Sequence, residues 1–126
     1  MELRSVEELM DLLYACRHQR ALRTAALLRR SRPADKELQV AGLVHGIEEL
    51  LGPADGAAHA VRHLLGERVY HLVRGDVGGG ADDDALRLRQ ADEESRTAGF
   101  DAGVLEDWRT VLELVAARNS RLGAVD

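Results

Sequence analysis

Histidines and carboxylates are the side chains in this sequence whose types and spacing could do chemistry. His59 and His63 stand four residues apart in a segment with helical patterning, so both imidazoles fall on one face, where such a pair can chelate a transition metal. The plainer reading is a pair of surface histidines. His71 has no candidate partner in the sequence. Asp82, Asp83 and Asp84 form an acidic run without the alternating spacing and terminal Glu of a calcium loop, and suit the first turn of a helix instead. Gly78, Gly79 and Gly80 lack the preceding strand and the following Lys-Ser/Thr of a phosphate loop, and read as a connection. Cys16 is the only cysteine, which rules out a disulfide within the chain and fits a reducing, cytoplasmic setting with Cys16 as a small apolar residue.

The elements that must position these groups are bounded by composition. A chain of 126 residues with 45% apolar content can bury one core and has no room for a separate cofactor domain. A single domain over residues 1–126 is expected. Apolar runs are too short for a membrane span, and no leader pattern opens the sequence. The net charge of −5 argues against a general nucleic-acid surface. Arg17, Arg20, Arg23, Arg29, Arg30 and Arg32 are spread around their helix rather than gathered on one side, so a DNA-binding regulator is discounted. Lys36 is the single lysine among 17 basic residues, a bias suggesting a GC-rich bacterial gene.

Apolar spacing follows the helical period throughout and nowhere alternates as strands do, which predicts an all-α fold. Ser5 and Glu8 form a capping-box pattern ahead of a helix from Val6 that carries Val6, Leu9, Leu12, Leu13 and Cys16 on one face. Whether this helix breaks near His18 or continues through Ala21, Leu22, Ala25, Leu27 and Leu28 is open, and Arg32-Pro33 ends the region in either case. Asp35 can cap a central helix with Val40, Leu43, Val44, Ile47, Leu50 and Leu51 as its stripe, stopped by Gly52-Pro53. Asp55 suits the cap of a helix to Leu65, and Gly66 permits the left-handed turn into another from Glu67 to about Val77. A helix from the acidic run to about Arg96 follows. The last helix, from Ala102 with Asp101 as cap, should bury Val104, Leu105, Trp108, Val111, Leu112 and Val115. Val44, Ile47, Leu64, Val73 and Trp108 are expected at the centre of six or seven such helices.

Three segments carry a resemblance: Leu43-Val44-His45-Gly46-Ile47, Val61-Arg62-His63-Leu64-Leu65-Gly66-Glu67-Arg68-Val69, and Leu72-Val73-Arg74-Gly75-Asp76-Val77. Together they resemble the middle of HD-domain proteins, in the branch that includes phosphonate-degrading oxygenases and bacterial HD hydrolases. Arg20-Ala21-Leu22-Arg23-Thr24-Ala25 is similar to the family's first-ligand helix, Leu88-Arg89-Gln90-Ala91-Asp92 to its late aspartate motif, and Gly103 to Arg109 to its closing helix. The resemblance spans about Arg20 to Val115 and implies a compact HD-domain-like helical bundle. It also implies a metal site, and the ligand set departs from the pattern. Arg20 stands in place of the first histidine, Gly46 in place of the aspartate of the His-Asp pair, and Asp76 in place of another histidine. The stretch from Pro53 to Asp55 lacks the histidine expected there. Of six ligand positions, His45 and Asp92 keep a usable ligand.

Two readings follow from the resemblance. In the first, Arg20 faces inward, replaces the metal's positive charge and binds Asp76 or Asp92 beside His45, with a buried pair whose rupture costs on the order of 3–5 kcal/mol. The chain is then a catalytically inactive module that takes no cofactor and binds a small ligand or a protein partner, as a monomer or a homo-oligomer. In the second, Arg20 swings away, and His45, Asp76 and Asp92 form a one-metal site of the hydrolase or oxygenase kind, with Asp55 as a further candidate whose N-cap role is the plainer one.

Overall fold

The computed structural model describes residues 3–15, 18–47, 54–74, 82–97 and 102–124. Among these the chain is all-α: α1 (Val6–Ala15), α2 (His18–Ser31), α3 (Lys36–Val44), α4 (Ala54–Leu65), α5 (Glu67–Arg74), α6 (Asp82–Thr97) and α7 (Arg109–Ala124), with single 3-10 turns at His45–Ile47 and Leu105–Trp108. Cys16, Leu50, Leu51, Gly52, Pro53, Asp76, the Gly78-Gly79-Gly80 run and Asp101 lie outside the described residues, as does any test of the expectations that fall on them.

Local chemistry sets several of the helix ends. The Ser5 hydroxyl accepts the Glu8 N–H at 3.2 Å, while the Glu8 carboxylate reaches back to the Arg4 N–H at 2.8 Å, so the reciprocal cap closes one residue earlier than the standard pattern. The described helices here run Val6–Ala15 and His18–Ser31, and the junction at Cys16 and Arg17, where the sequence leaves open a break or a continuous helix, lies outside the described residues. Asp35 caps α3 by accepting the Leu38 N–H at 3.1 Å. Gly66 takes a φ of +100°, the left-handed conformation that lets α4 and α5 fold back on each other.

α3 is the centre of the molecule. Every residue from Leu38 to Val44 is buried, Gln39 and Gly42 included, so this helix is enclosed on all sides rather than presenting one apolar stripe. It packs against α2, α5, α6 and α7, and α4 pairs with α5. Gln39 is tolerated there because its side-chain amide donates to the Arg32 carbonyl at 2.8 Å and the Pro33 carbonyl at 3.2 Å, tying down the turn after α2. Gly42 permits the closest approach: a Cβ at that position would lie 2.6 Å from Leu28 Cδ1 and 3.2 Å from Thr24 Cγ2. Around this axis Leu9, Leu13, Leu28, Ile47, Val61, Val69, Val73, Trp108 and Leu112 form one contiguous core.

Three boundaries differ from expectation. The α-helical part of α3 stops at Val44 and tightens into a 3-10 turn. Asp55 lies inside the first turn of α4, which already begins at Ala54, so it is not the N-cap. Gly103 adopts a φ of +86°, which a helix starting at Ala102 could not contain, and the chain enters α7 through the Leu105–Trp108 turn instead. Val104 is therefore 59% exposed rather than core. Leu64, at the edge of α4, is only partly buried.

Candidate functional site

Arg20 sits in the first turn of α2 and Asp92 in the middle of α6, 72 residues apart, and the packing of these two helices brings their side chains together. Arg20 Nη2 donates to Asp92 Oδ2 at 2.8 Å. The neighbouring turn of α2 repeats the device, since Arg23 Nε donates to the Ser95 carbonyl at 3.1 Å. Ser95 is itself buried and returns its hydroxyl to the Asp92 carbonyl at 2.6 Å, which fixes the segment of α6 that presents the carboxylate.

The pair is not buried in the sense expected of a converted metal pocket. Arg20 is 42% exposed and Asp92 22%, because the α2–α6 seam runs along the surface with Asp92 at its rim. Burial is uneven within the guanidinium, whose Nε is enclosed and has no partner among the described residues. A cost of 3–5 kcal/mol for breaking the pair therefore does not apply, and a value of about 1 kcal/mol, appropriate to a half-exposed ion pair, replaces it.

His45 is the C-cap of α3 and opens the 3-10 turn, its backbone N–H bonded to the Ala41 carbonyl. The turn packs against α2, the helix of Arg20, and His45 is partly buried. Gly46 is the middle residue of that turn and offers no side-chain donor. Asp76 lies outside the described residues, so the set His45, Asp76 and Asp92 cannot be assembled from what is placed. Among the described residues no group of three or more His, Cys, Asp or Glu side chains is arranged to hold a metal ion. The residues that are placed do not suit the metal implied by the family resemblance. A guanidinium occupies an oxygen of Asp92, and Gly46 has no side chain to offer where the resemblance implies a carboxylate.

His59 and His71 both pack against Tyr70. His59 is exposed and tilts over Tyr70, with ring centroids 5.1 Å apart. His71 does find a partner, Glu67, one helical turn back at 3.6 Å, and its ring stands edge-on to Tyr70 at 5.0 Å. Tyr70 is buried beneath two guanidinium groups, Arg62 at 4.5 Å and Arg74 at 5.8 Å from its ring centre, and Arg74 also donates to its hydroxyl at 3.0 Å.

Two polar clusters had no signal in the sequence. Arg68 on α5 grips Asp35 with both Nη groups, at 2.6 and 2.7 Å, and also reaches Asp84 at 2.9 Å and Glu37 at 3.2 Å. Hydrogen bonding from Arg68 holds the Asp35 carboxyl below its ordinary range against the opposing effect of burial, and the same carboxylates raise the Arg68 guanidinium. In the second cluster Arg109 ties α7 to Glu106 and to Glu7 of α1, and Tyr14 donates to the same Glu106 at 3.1 Å. That hydrogen bond and the carboxylate's charge raise the Tyr14 hydroxyl.

Comparison with family models, with curated proteins and with solved structures returns no match for this chain. No helix among the described residues is long and apolar enough to cross a membrane.

Proposed function

We propose that this chain is a catalytically inactive, HD-domain-like binding module in which the contact between Arg20 and Asp92 stands where a metal would otherwise hold the helices together. The observation that carries this reading is the 2.8 Å ion pair between α2 and α6. A guanidinium keeps its proton at every accessible pH, so a divalent ion approaching Asp92 meets a fixed positive charge and must displace a formed hydrogen bond. Gly46 supports the same conclusion, because it has no side chain with which to bridge metal ions. Without a metal, these residues lack the Lewis acid on which the family's water activation and phosphate neutralisation depend. What is left is a rigid helical scaffold suited to binding a small ligand or a protein partner in a reducing, cytoplasmic setting, with no role for nucleic acid.

The test is metal analysis of protein purified without added metals, alongside the Arg20→His and Gly46→Asp double variant. The unaltered chain should carry well under one equivalent of iron, manganese or zinc. One equivalent of any of these, lost on replacing His45 or Asp92, would overturn the reading and restore a one-metal hydrolase or oxygenase. The double variant returns two of the family's ligands, and a gain of bound metal by that protein alone would support the view that Arg20 and Gly46 together removed the site.

A further inference from the structure

A second recess lies away from the Arg20–Asp92 pair, where the α4–α5 turn meets the N-terminal segment and α7. It is an open cleft of about 540 Å³, within the roughly 300–1,000 Å³ range of small-molecule sites. Leu3, Leu64 and Ala116 give it apolar walls, and Arg4, Arg62 and Glu67 give it charge.

Each of these groups is delivered by the fold. Leu3 is buried, and its backbone N–H donates to the Ala60 carbonyl at 2.8 Å, which lays the N-terminal segment along α4 and brings Arg4 to the cleft. Arg62 is held on two sides, by Glu67 at 2.7 Å through its Nε and by the face of Tyr70 at 4.5 Å. Its Nη groups make no further hydrogen bond to a described residue, and the Arg4 guanidinium has neither a hydrogen bond nor an ion pair among them. Asn119 closes the far side, donating to the His63 carbonyl at 2.6 Å and holding α7 against the α4–α5 turn.

We infer that this cleft binds a small organic monocarboxylate with a short apolar body. The charge balance selects the class: among the described lining residues, Arg4 and Arg62 against Glu67 leave one positive charge, with the His63 imidazole beside them, in a chain whose net charge is −5. One anionic oxygen pair satisfies it, whereas a phosphate dianion would bring excess negative charge beside Glu67. The guanidinium forks suit a carboxylate's two oxygens, and the apolar walls accept the chain attached to it. Arg62 is already oriented by Glu67 and Tyr70, so less freedom is lost when a ligand engages it. The inference is independent of the Arg20–Asp92 reading.

Titration of the full chain with octanoate, followed by backbone amide NMR, tests this directly, with octanamide as the uncharged counterpart. Octanoate should bind saturably at one per chain and shift the amides of Arg4, His63, Gly66 and Asn119. Octanamide should bind more weakly by about tenfold or more, and Arg4→Ala should weaken octanoate to a similar degree, as expected for one lost charge-assisted hydrogen bond. Arg20→Ala should leave the affinity unchanged, which separates this site from the α2–α6 pair. The proposal is overturned by the absence of saturation up to about 20 mM, well above the roughly millimolar affinity a ligand of this size can reach. It is equally overturned if octanamide or the Arg4→Ala protein binds as tightly as the original pair, or if the shifts gather around Arg20 and Asp92.

Discussion

Removing Arg68 is a perturbation whose consequence can be worked out group by group, because three carboxylates from different parts of the fold converge on it. Asp35 caps α3, Glu37 lies in the first turn of the same helix, and Asp84 opens α6, so the guanidinium joins α3, α5 and α6. Shielded hydrogen bonds to charged groups contribute about 1.5–3 kcal/mol, and exposed ion pairs only about 0.2–1 kcal/mol. With 37% of the Arg68 side chain open to water, the lower value applies to Glu37 and Asp84 and an intermediate one to the two-pronged contact with Asp35. Arg68→Met keeps the apolar stem, so its cost isolates the charge, and it should come to about 2 kcal/mol at neutral pH. For a domain of this size that corresponds to a fall in Tm of roughly 6–10 °C.

The pH dependence supplies the sharper check. Arg68 depresses the folded-state value of Asp35 below its ordinary 3.8. A depressed carboxyl stabilises the fold at all pH values above its unfolded value, and the contribution is lost as pH falls through the lower folded value. Urea midpoints of the original and Arg68→Met proteins, compared at equal m, should therefore differ by a constant amount down to about pH 4 and converge below it. A gap that persists unchanged into the acid range would show that packing around the stem, not charge, is responsible. No gap at pH 7 would mean that water already screens the network completely.

Arg20→Ala should lower stability by about 1 kcal/mol, with a double-mutant cycle against Asp92→Ala assigning most of that to the pair; a coupling of zero would remove the basis for regarding it as a metal surrogate. Gly42→Ala should cost roughly 1–3 kcal/mol through overpacking against Leu28, and Leu28→Val in the same chain should recover part of the loss; an unaffected melting temperature would mean that α2 and α3 can separate without penalty.

How much of this could be read from the sequence follows from the range of the interactions. Ser5, Asp35 and Gly66 act on backbone groups within four residues, and the helix ends they control were visible as spacing and residue type. The Leu105–Trp108 turn was not, since a glycine at 103 is compatible with several starts and only its left-handed φ excludes the early one. Arg68 and Asp35 are 33 residues apart, and neither the helical period nor charge patterning links them. The meeting of Arg20 with Asp92 could be anticipated only through the family resemblance, because nothing local connects residues 72 apart. Even then the sequence placed the pair inside a pocket, whereas its exposure depends on how α6 settles on α2.

That settling has an unusual basis. Of the α6 side chains described, only Leu88, Ala91 and Ser95 are buried, too little apolar surface to fix a helix of 16 residues by itself. Arginines from the rest of the bundle make up the difference along its length: Arg68 and, at 3.9 Å, Arg32 meet Asp84 near its start, Arg20 meets Asp92 midway, and Arg23 meets the Ser95 carbonyl beyond. Ionic contacts at a surface seam weaken with salt, while the apolar packing of α3 against α2 and α5 does not. The attachment of α6 is thus the part of the fold most open to adjustment by charge. Because Asp92 travels with α6, anything that loosens this seam also separates the candidate site.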